Sequence, residues 1–133
     1  AVSGATRWLS QTKALIQLSL RYKTDDHLWF TFFHEAGHIL LHGRKGVFLE
    51  GMNGLDSDKE KEANEFSENE LIPRKALQAF VSTKPFTKVN IQQFAQSLGI
   101  APGIVVGQLQ HKQLLPRTQC NELKQRFQWA HGS

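Results

Sequence analysis

The chain has 133 residues, 40% of them hydrophobic and 21% charged, and a formal net charge of +4. These values are typical of one folded domain and exclude a disordered or fibrous chain, while the small positive charge permits an acidic partner such as DNA without requiring one. The single cysteine, Cys120, excludes an internal disulfide framework and a zinc site built from several cysteines.

Two strands are predicted at the start of the chain, between Thr6 and Tyr22. Apolar and polar side chains alternate over residues 13–21, which is the period of a half-buried strand. Residues 10–12 supply turn chemistry, so the two strands are expected to form a hairpin. A further short strand is predicted over residues 46–50.

Helices are predicted for most of the remaining chain. The first runs from His27 to His42, after capping residues at positions 24–26, and Gly43 ends it. Its apolar residues recur at helical spacing and predict a deeply packed stripe, made of Trp29, Phe33, Ala36 and Leu40. Later helices are predicted over residues 57–73, 74–81, 89–98 and 102–112.

This order of strands followed by helices predicts an α+β fold. The fold is expected to be mostly helical, with a small antiparallel sheet packed on the first helix and a helical bundle at the C-terminal end. We expect a core over residues 1–85 and a C-terminal helical subdomain over residues 86–133, which together form one compact unit.

The segment His34-Glu35-Ala36-Gly37-His38 has the H-E-x-x-H pattern and lies on the first predicted helix. Residues four apart on a helix share a face and differ by about 6 Å along the axis, so both imidazoles can reach one ion. Imidazole nitrogens are good zinc ligands, and a flanking carboxylate can take a proton from a zinc-activated water. The motif therefore predicts zinc bound by His34 and His38, with Glu35 as the general base.

A third zinc ligand is expected on the acid-rich second helix, because a catalytic zinc needs three protein ligands and one open position. Glu60 shares one side of that helix with Ala63, Asn64 and Ser67, whose modest size allows a close approach to the first helix. Asn64 could support a ligand through a hydrogen bond. Glu60 is the favoured ligand, and Glu62 is the alternative.

Three segments of the chain then match a known pattern in the same order. They are residues 34–38, Glu60-Lys61-Glu62-Ala63-Asn64-Glu65-Phe66-Ser67, and Leu71-Ile72-Pro73. With them the chain resembles the ImmA/IrrE metallopeptidase family, whose pattern is H-E-x-x-H, E-x-E-A-N-x-F-A and L-x-P. Ser67 stands where that family usually has Ala. The resemblance implies a zinc peptidase in which His34, His38 and Glu60 are ligands and Glu35 is the base.

The wider stretch from Trp8 to Gly107 resembles the C-terminal part of HigA-like regulators, in which a Cro/repressor-type helix-turn-helix domain precedes an ImmA/IrrE domain. This likeness implies a bacterial, toxin-antitoxin type of transcriptional regulator whose DNA contact is indirect, through an N-terminal domain absent from this chain. Relatives cleave repressor proteins, which implies a repressor or antitoxin-type protein as the substrate.

Several features bear on location and assembly. No apolar run approaches the roughly 20 residues that span a bilayer, and Ala1–Gly4 lacks the features of a signal peptide. Together with the lone cysteine, this predicts a cytoplasmic protein without a membrane partner. The missing initiator methionine predicts a fragment of a longer regulator. A homodimer is a candidate assembly.

Three weaker site candidates flank the motif. His42 continues the four-residue spacing but lies about 12 Å along the axis from His34, too far to share one ion in a simple way. It is interpreted first as a donor at the helix C-terminus, and an active-site role is the alternative. Tyr22 and His27 could stabilise a reaction oxyanion, but a packing or surface position is the preferred interpretation of each.

Two other functions compete with the peptidase hypothesis. One is a zinc-binding regulatory or sensor module with weak catalysis, which controls a fused DNA-binding domain or a toxin partner. The other is direct DNA binding through residues 89–111. Their order of small residues, a glycine and then aliphatic residues is similar to that of a helix-turn-helix. The start of the second helix there is apolar and poorly suited to reading base edges, so a structural role for this helix pair is preferred.

Overall fold

The computed structural model describes residues 4–19, 23–44 and 57–127. Its elements in chain order are β1 (Gly4–Trp8), β2 (Ala14–Leu18), α1 (Asp25–Gly37), a π-helix (His38–His42), α2 (Ser57–Leu71), α3 (Arg74–Val81), α4 (Lys88–Leu98), α5 (Pro102–His111) and a 3-10 helix (Asn121–Leu123). Two antiparallel strands followed by helices confirm the predicted α+β class. The strand predicted over residues 46–50 lies outside the described residues.

The two strands form the predicted hairpin. They are antiparallel, Gly4 pairs with Leu18 at one end of the register, and Leu9 N donates to Lys13 O at 2.8 Å across the turn. Gly4 lies so close to α1 that a Cβ at this position would stand 2.6 Å from Thr31 Cγ2. The sheet therefore packs on the helix that carries the H-E-x-x-H segment, as predicted.

The first helix changes type partway along its length. It begins at Asp25, two residues earlier than predicted, and is α-helical to Gly37. The next turn, His38–His42, is a π-helix with the wider i→i+5 bonding pattern, and Gly43 ends it with φ +68°. The predicted helix over residues 27–42 is confirmed in position, and the π-turn is an addition to it.

The predicted apolar stripe on this helix is wrong at two of its four positions. Trp29 is 42% exposed and Leu40 is 70% exposed. Leu40 lies in the π-helix, whose extra residue per turn rotates it away from the line that α-helical spacing predicts. The π-helix accounts for Leu40 alone, because Trp29 lies in the α-helical part of the same helix and is exposed there.

The described fold divides into two compact units. Of the described residues, unit 1 contains 4–19, 30–44 and 57–70, and unit 2 contains 23–29 and 71–127. The predicted division into residues 1–85 and 86–133 stays a prediction, because packing in the folded chain does not test whether either segment folds alone. Within the described ranges, no helix combines the length and apolar character needed to cross a bilayer.

In unit 1, small residues bring α2 against the end of α1. Ala63 and Ser67 have no exposed surface, and Ser67 Oγ donates to the Phe30 carbonyl at 2.8 Å. A Cβ on Gly37 would stand 3.0 Å from Phe66 Cδ1, which is tighter than ordinary contact. The close approach expected from the small residues of α2 is therefore present, and the Ser67 hydroxyl adds a hydrogen bond to it.

In unit 2, aromatic stacking organises the packing of α3 and α4. The Phe80 ring stacks on Phe94 with 4.3 Å between centroids and on Phe86 with 5.4 Å. The connection between these helices contains a cis peptide before Pro85. Thr87 caps α4 by accepting from Asn90 N at 3.1 Å, as expected of a threonine N-cap.

Helix α5 forms the centre of unit 2. It begins at Pro102, three residues after Gly99, which is the C-cap of α4. The predicted end of α4 at residue 98 and start of α5 at residue 102 are confirmed. Its buried side chains include Ile104, Val105, Val106 and Leu109. Such a helix, buried around most of its circumference, is a core element.

The closing segment, residues 124–127, pairs with residues 23–26 at the start of α1. Asp25 N donates to Gln125 O at 2.8 Å, and Phe127 N donates to Lys23 O at 3.2 Å. Between these two bonds lies an antiparallel bridge between the backbones of residues 24 and 126. The first turn of α1 thus takes part of its hydrogen bonding from the far end of the described chain.

Candidate metal centre

Three side chains in unit 1 converge on one point. His34 and His38 lie one turn apart at the junction of α1 and the π-helix, and Glu60 lies in the first turn of α2. The two Nε2 atoms are 3.2 Å apart, Glu60 Oε2 is 2.9 Å from His34 Nε2, and Glu60 Oε1 is 3.0 Å from His38 Nε2. These three residues are called the ligand cluster below.

The ligand cluster has the chemistry and spacing of a zinc site. One ligand atom from each residue lies within 4.8 Å of the others. A tetrahedral zinc ion with Zn–N bonds of 2.0–2.1 Å places two ligand nitrogens about 3.4 Å apart, close to the 3.2 Å observed. Two Nε2 atoms that face each other cannot both carry a proton at this distance, whereas a cation between them and the carboxylate is attracted by all three donors.

The three side chains of the ligand cluster differ in how far they are buried. The exposed fraction of the side chain is 5% for His38, 13% for His34 and 28% for Glu60. The Phe30 ring stacks beside His34 with 6.2 Å between centroids and covers one side of the cluster. The cluster is therefore held in low-dielectric surroundings on its histidine side and reaches solvent through its carboxylate.

Glu35 is held by a residue of the sheet. Thr6 Oγ1 donates to Glu35 Oε2 at 2.5 Å, a short hydrogen bond between β1 and α1. Nothing in the sequence pattern identified Thr6, since 29 residues separate it from Glu35. Its position on β1 together with the packing of the hairpin on α1 brings the two side chains together.

His42 lies behind His38 rather than beside the ligand cluster. His42 Nδ1 is 3.0 Å from His38 Nδ1, and His42 Nε2 is 3.2 Å from Glu62 Oε2. The structure thus separates the two acids that the sequence left as alternatives: Glu60 reaches both histidines of the motif, and Glu62 reaches His42. The contact between His42 and Glu62 was not predicted, because the two residues lie on separate helices, 20 residues apart in the chain.

The other candidates are placed as follows. Asn64 is half-buried, one turn after Glu60 on α2, and its supporting role stays a prediction. His27 is exposed, in the first turns of α1. Tyr22 lies outside the described residues. The roles of His34, Glu35, His38 and Glu60 likewise stay predictions, since geometry shows where the side chains are and not what they do.

The helix pair considered for DNA binding offers little to a DNA groove. Gln108 is 5% exposed and Gln110 is 4% exposed. The Gln110 amide donates to Gln119 O and to Asn121 Oδ1, at 3.0 and 2.9 Å, within unit 2. Two of the polar residues that would have to contact DNA are therefore buried, while His111 and Lys112 are exposed.

Comparison with known proteins gives one result. The family model Peptidase_M78, described as the IrrE N-terminal-like domain, matches residues 4–110. The matched range contains both strands, the H-E-x-x-H segment and all three residues of the ligand cluster. Comparison with curated proteins and with solved structures gives no significant match.

Proposed function

Because the chain belongs to the IrrE N-terminal-like peptidase family, and so carries a metallopeptidase-like domain, we propose that it is a zinc-dependent peptidase that hydrolyses a peptide bond in a protein substrate. The observation that carries the proposal is the convergence of His34, His38 and Glu60, whose ligand atoms lie within 4.8 Å of one another. A structural histidine pair would not need a carboxylate at 2.9–3.0 Å from both rings.

His34 and His38, each through Nε2, and Glu60, through a carboxylate oxygen, would hold the ion. When bound, zinc supplies Lewis-acid chemistry, lowering the pKa of a water to about 7 and polarising the substrate carbonyl. Three protein ligands are the number found in catalytic rather than structural zinc sites, where a fourth position serves water or substrate. The half-exposed Glu60 side of the cluster is the side from which a substrate can approach.

Glu35 performs the proton transfers in this proposal. Its carboxylate takes the proton of the attacking water as the new C–O bond forms at the peptide carbonyl. It then gives that proton to the amine nitrogen as the C–N bond breaks, so that a carboxylate and an amine are the products. Thr6 holds Glu35 Oε2, and we assign the proton transfers to Oε1.

A repressor or antitoxin-type protein is the proposed substrate class, and a fused DNA-binding domain is the proposed partner. The support is the resemblance of residues 8–107 to the C-terminal part of HigA-like regulators, in which such a peptidase domain follows a helix-turn-helix domain. Cleavage of a repressor at one site would relieve repression without requiring broad proteolytic activity.

The metal site is tested by the zinc content of purified protein. Wild type and Glu35→Gln are expected to carry close to one zinc per chain, because Glu35 is not a ligand. Glu60→Ala is expected to lose most of it. Glu65→Ala is the matched control, an exposed acid on the same helix, and is expected to retain it. Equal zinc in Glu60→Ala and Glu65→Ala would overturn the assignment of the third ligand.

The reaction is tested with the zinc-loaded chain and a proteome-derived peptide library, whose new termini are read by mass spectrometry. Wild type is expected to generate new termini around a defined sequence. Glu35→Gln is expected to reduce their rate of formation by about 10²- to 10⁴-fold, the usual contribution of a general base. A zinc-loaded wild type that produces no more termini than Glu35→Gln would favour the regulatory or sensor module over the peptidase.

A further inference from the structure

His38, His42 and Glu62 form a continuous line of polar contacts that leads away from the ligand cluster. His38 turns its Nε2 toward Glu60 and its Nδ1 toward His42, with 3.0 Å at each contact. His42 then turns its Nε2 toward Glu62 Oε2 at 3.2 Å. Every ring nitrogen in this line has a neighbour at hydrogen-bond distance.

The protons on this line have one consistent arrangement once His38 is a metal ligand. A metal-binding Nε2 must offer its lone pair, so the proton of the neutral His38 ring is on Nδ1 and is donated to His42. His42 Nδ1 must then accept, which places the His42 proton on Nε2. That proton is donated to Glu62 Oε2, and a carboxylate is the acceptor that this end requires.

We propose that His42 and Glu62 are positioning residues for the zinc ligand His38, a carboxylate–histidine relay that fixes the tautomer and the ring orientation of that ligand. The inference rests on the zinc-binding function proposed above. Hydrogen bonds of this kind orient metal-bound histidines and raise their basicity as ligands. Here the carboxylate acts through an intervening imidazole instead of contacting the ligand itself.

Burial and helix geometry support the relay. The His42 side chain is 4% exposed and the Glu62 side chain is 56% exposed, so the line runs from the buried ligand to solvent. His38 and His42 are the first and last residues of the π-helix, a form that often occurs at functional sites. The two rings lie 5.1 Å apart in a tilted arrangement that lets the Nδ1 atoms face each other.

The two motif histidines differ in the hydrogen bonding of their Nδ1 atoms. His34 Nδ1 is buried, and no hydrogen-bond partner for it lies among residues 4–19, 23–44 and 57–127. His38 is therefore the motif histidine whose outer nitrogen is supported within the described part of the chain. We assign to it the larger dependence on surrounding hydrogen bonds.

The relay is tested by zinc affinity, measured by competition with a chromophoric chelator. His42→Phe removes the acceptor and is expected to weaken zinc binding by about 10- to 100-fold. His42→Asn keeps an amide oxygen near the position of Nδ1 and is expected to recover much of that loss. Glu62→Gln keeps the shape but removes the charge, and about a fivefold loss is expected. Glu65→Gln, on the same helix, is the control and should leave the affinity unchanged.

A second measurement reports the tautomer directly. In ¹⁵N NMR spectra of the zinc-loaded wild type, His38 is expected to carry its proton on Nδ1 and His42 on Nε2. A role in packing alone would not require this pair of tautomers. Because Glu62 is largely exposed, Glu62→Gln is expected to fold normally. Its zinc affinity therefore tests the relay even if His42→Phe does not fold.

The outcomes separate the relay from the zinc site itself. A wild type that binds zinc, with His42→Phe and Glu62→Gln within twofold of it, overturns the relay and leaves the proposed function standing. A His42 proton found on Nδ1 in the zinc-loaded protein also overturns the relay. A wild type that binds no zinc overturns both proposals.

Discussion

At the scale of single residues, the contact between Thr6 and Glu35 is the point where the sheet meets the proposed chemistry. A carboxylate that rotates freely spends part of its time out of reach of the water that it must deprotonate. The Thr6 hydroxyl restricts that rotation with one short hydrogen bond. In the proposed mechanism the hairpin therefore positions Glu35, in addition to packing on α1.

We expect Thr6→Val to lower the rate of peptide hydrolysis by about 3- to 10-fold, the effect of one lost hydrogen bond. The zinc content should not change, because Thr6 does not touch the ligand cluster. Thr6→Ser keeps the hydroxyl and should retain most of the rate. Thr12→Val, an exposed threonine in the hairpin turn, serves as the control. An equal loss in the serine and valine variants would show that the methyl packing matters and not the hydrogen bond.

Local spacing was enough to predict which residues converge in the ligand cluster. His34 and His38 are one helical turn apart, and the small residues on α2 indicated the face that carries Glu60. Thr6 and the contact of His42 with Glu62 could not be predicted in this way. Each depends on side chains from separate elements, and nothing local to either residue encodes its partner.

At the scale of elements, the close packing around α5 depends on residues without side chains. A Cβ on Gly103 would stand 2.9 Å from the Cα of Lys124 and would overlap the Asp25 carboxylate. A Cβ on Gly107 would stand 2.5 Å from Asp26 Oδ2. Backbone atoms of the closing segment cannot move aside as the end of a flexible side chain can, so the contact at Gly103 is the more restrictive one.

Gly103→Ala is therefore expected to destabilise the protein by about 1–3 kcal/mol, the usual cost of overpacking. Gly103 lies in the first turn of α5, where the preference for alanine over glycine is smaller than the roughly 1 kcal/mol of a helix interior. A net loss of stability therefore indicates the tight contact. Urea unfolding measures this loss. Gln96→Ala, an exposed change on α4, should stay within about 0.5 kcal/mol of wild type. A Gly103→Ala protein more stable than wild type would contradict the tight contact.

Element boundaries were predictable where capping chemistry marks them. Gly99 and Pro102 mark a helix end and a helix start by local mechanisms, and the structure has the boundaries there. Thr87 caps α4, which begins at Lys88, one residue before the predicted start. The π-helix has no such signal in residues 38–42. Its stretch of histidines and aliphatic residues is compatible with an α-helix, and only the surrounding packing distinguishes the two.

At the scale of the whole molecule, the α+β class was predictable from the order of the elements, whereas the long-range pairing within unit 2 was not. Lys124 Nζ lies 3.1 Å from Asp26 Oδ2 and 2.9 Å from Gln110 Oε1, with 12% of both charged side chains exposed. Its contacts join segments that are far apart in the chain, and no periodicity reports such pairs.

The buried Asp25 gives the stability of the protein a pH dependence. Burial raises the pKa of this carboxyl, and hydrogen bonds from Gln125 N and Asp26 N partly oppose the increase. Oδ2 is buried without a hydrogen-bond partner among the described residues. The folded state therefore holds the Asp25 proton to higher pH than the unfolded state does, and ionisation opposes folding.

It follows that the Asp25 contribution to the free energy of unfolding falls as the pH rises from the unfolded pKa through the folded one. Asp25→Asn cannot ionise, so its stability relative to wild type should increase as the pH rises above the ordinary aspartate pKa of 3.8, and should level off once the pH exceeds the raised pKa of the folded state. Urea unfolding of both proteins across that range measures the difference. Gln96→Ala, an exposed change that involves no titratable group, should show no comparable trend. A difference between Asp25→Asn and wild type that does not change with pH would contradict this assignment.

The pairing of the closing segment with the start of α1 also sets an order of events during synthesis. Asp25 and Gln125 are 100 residues apart, so at about 5–20 residues per second the second follows the first from the ribosome by roughly 5 to 20 s. Residues 30–70, which carry His34, His38 and Glu60, are all made within that interval. The half of α1 that carries His34 can therefore meet α2 well before the first turn of the same helix meets residues 124–127, which complete its hydrogen bonding.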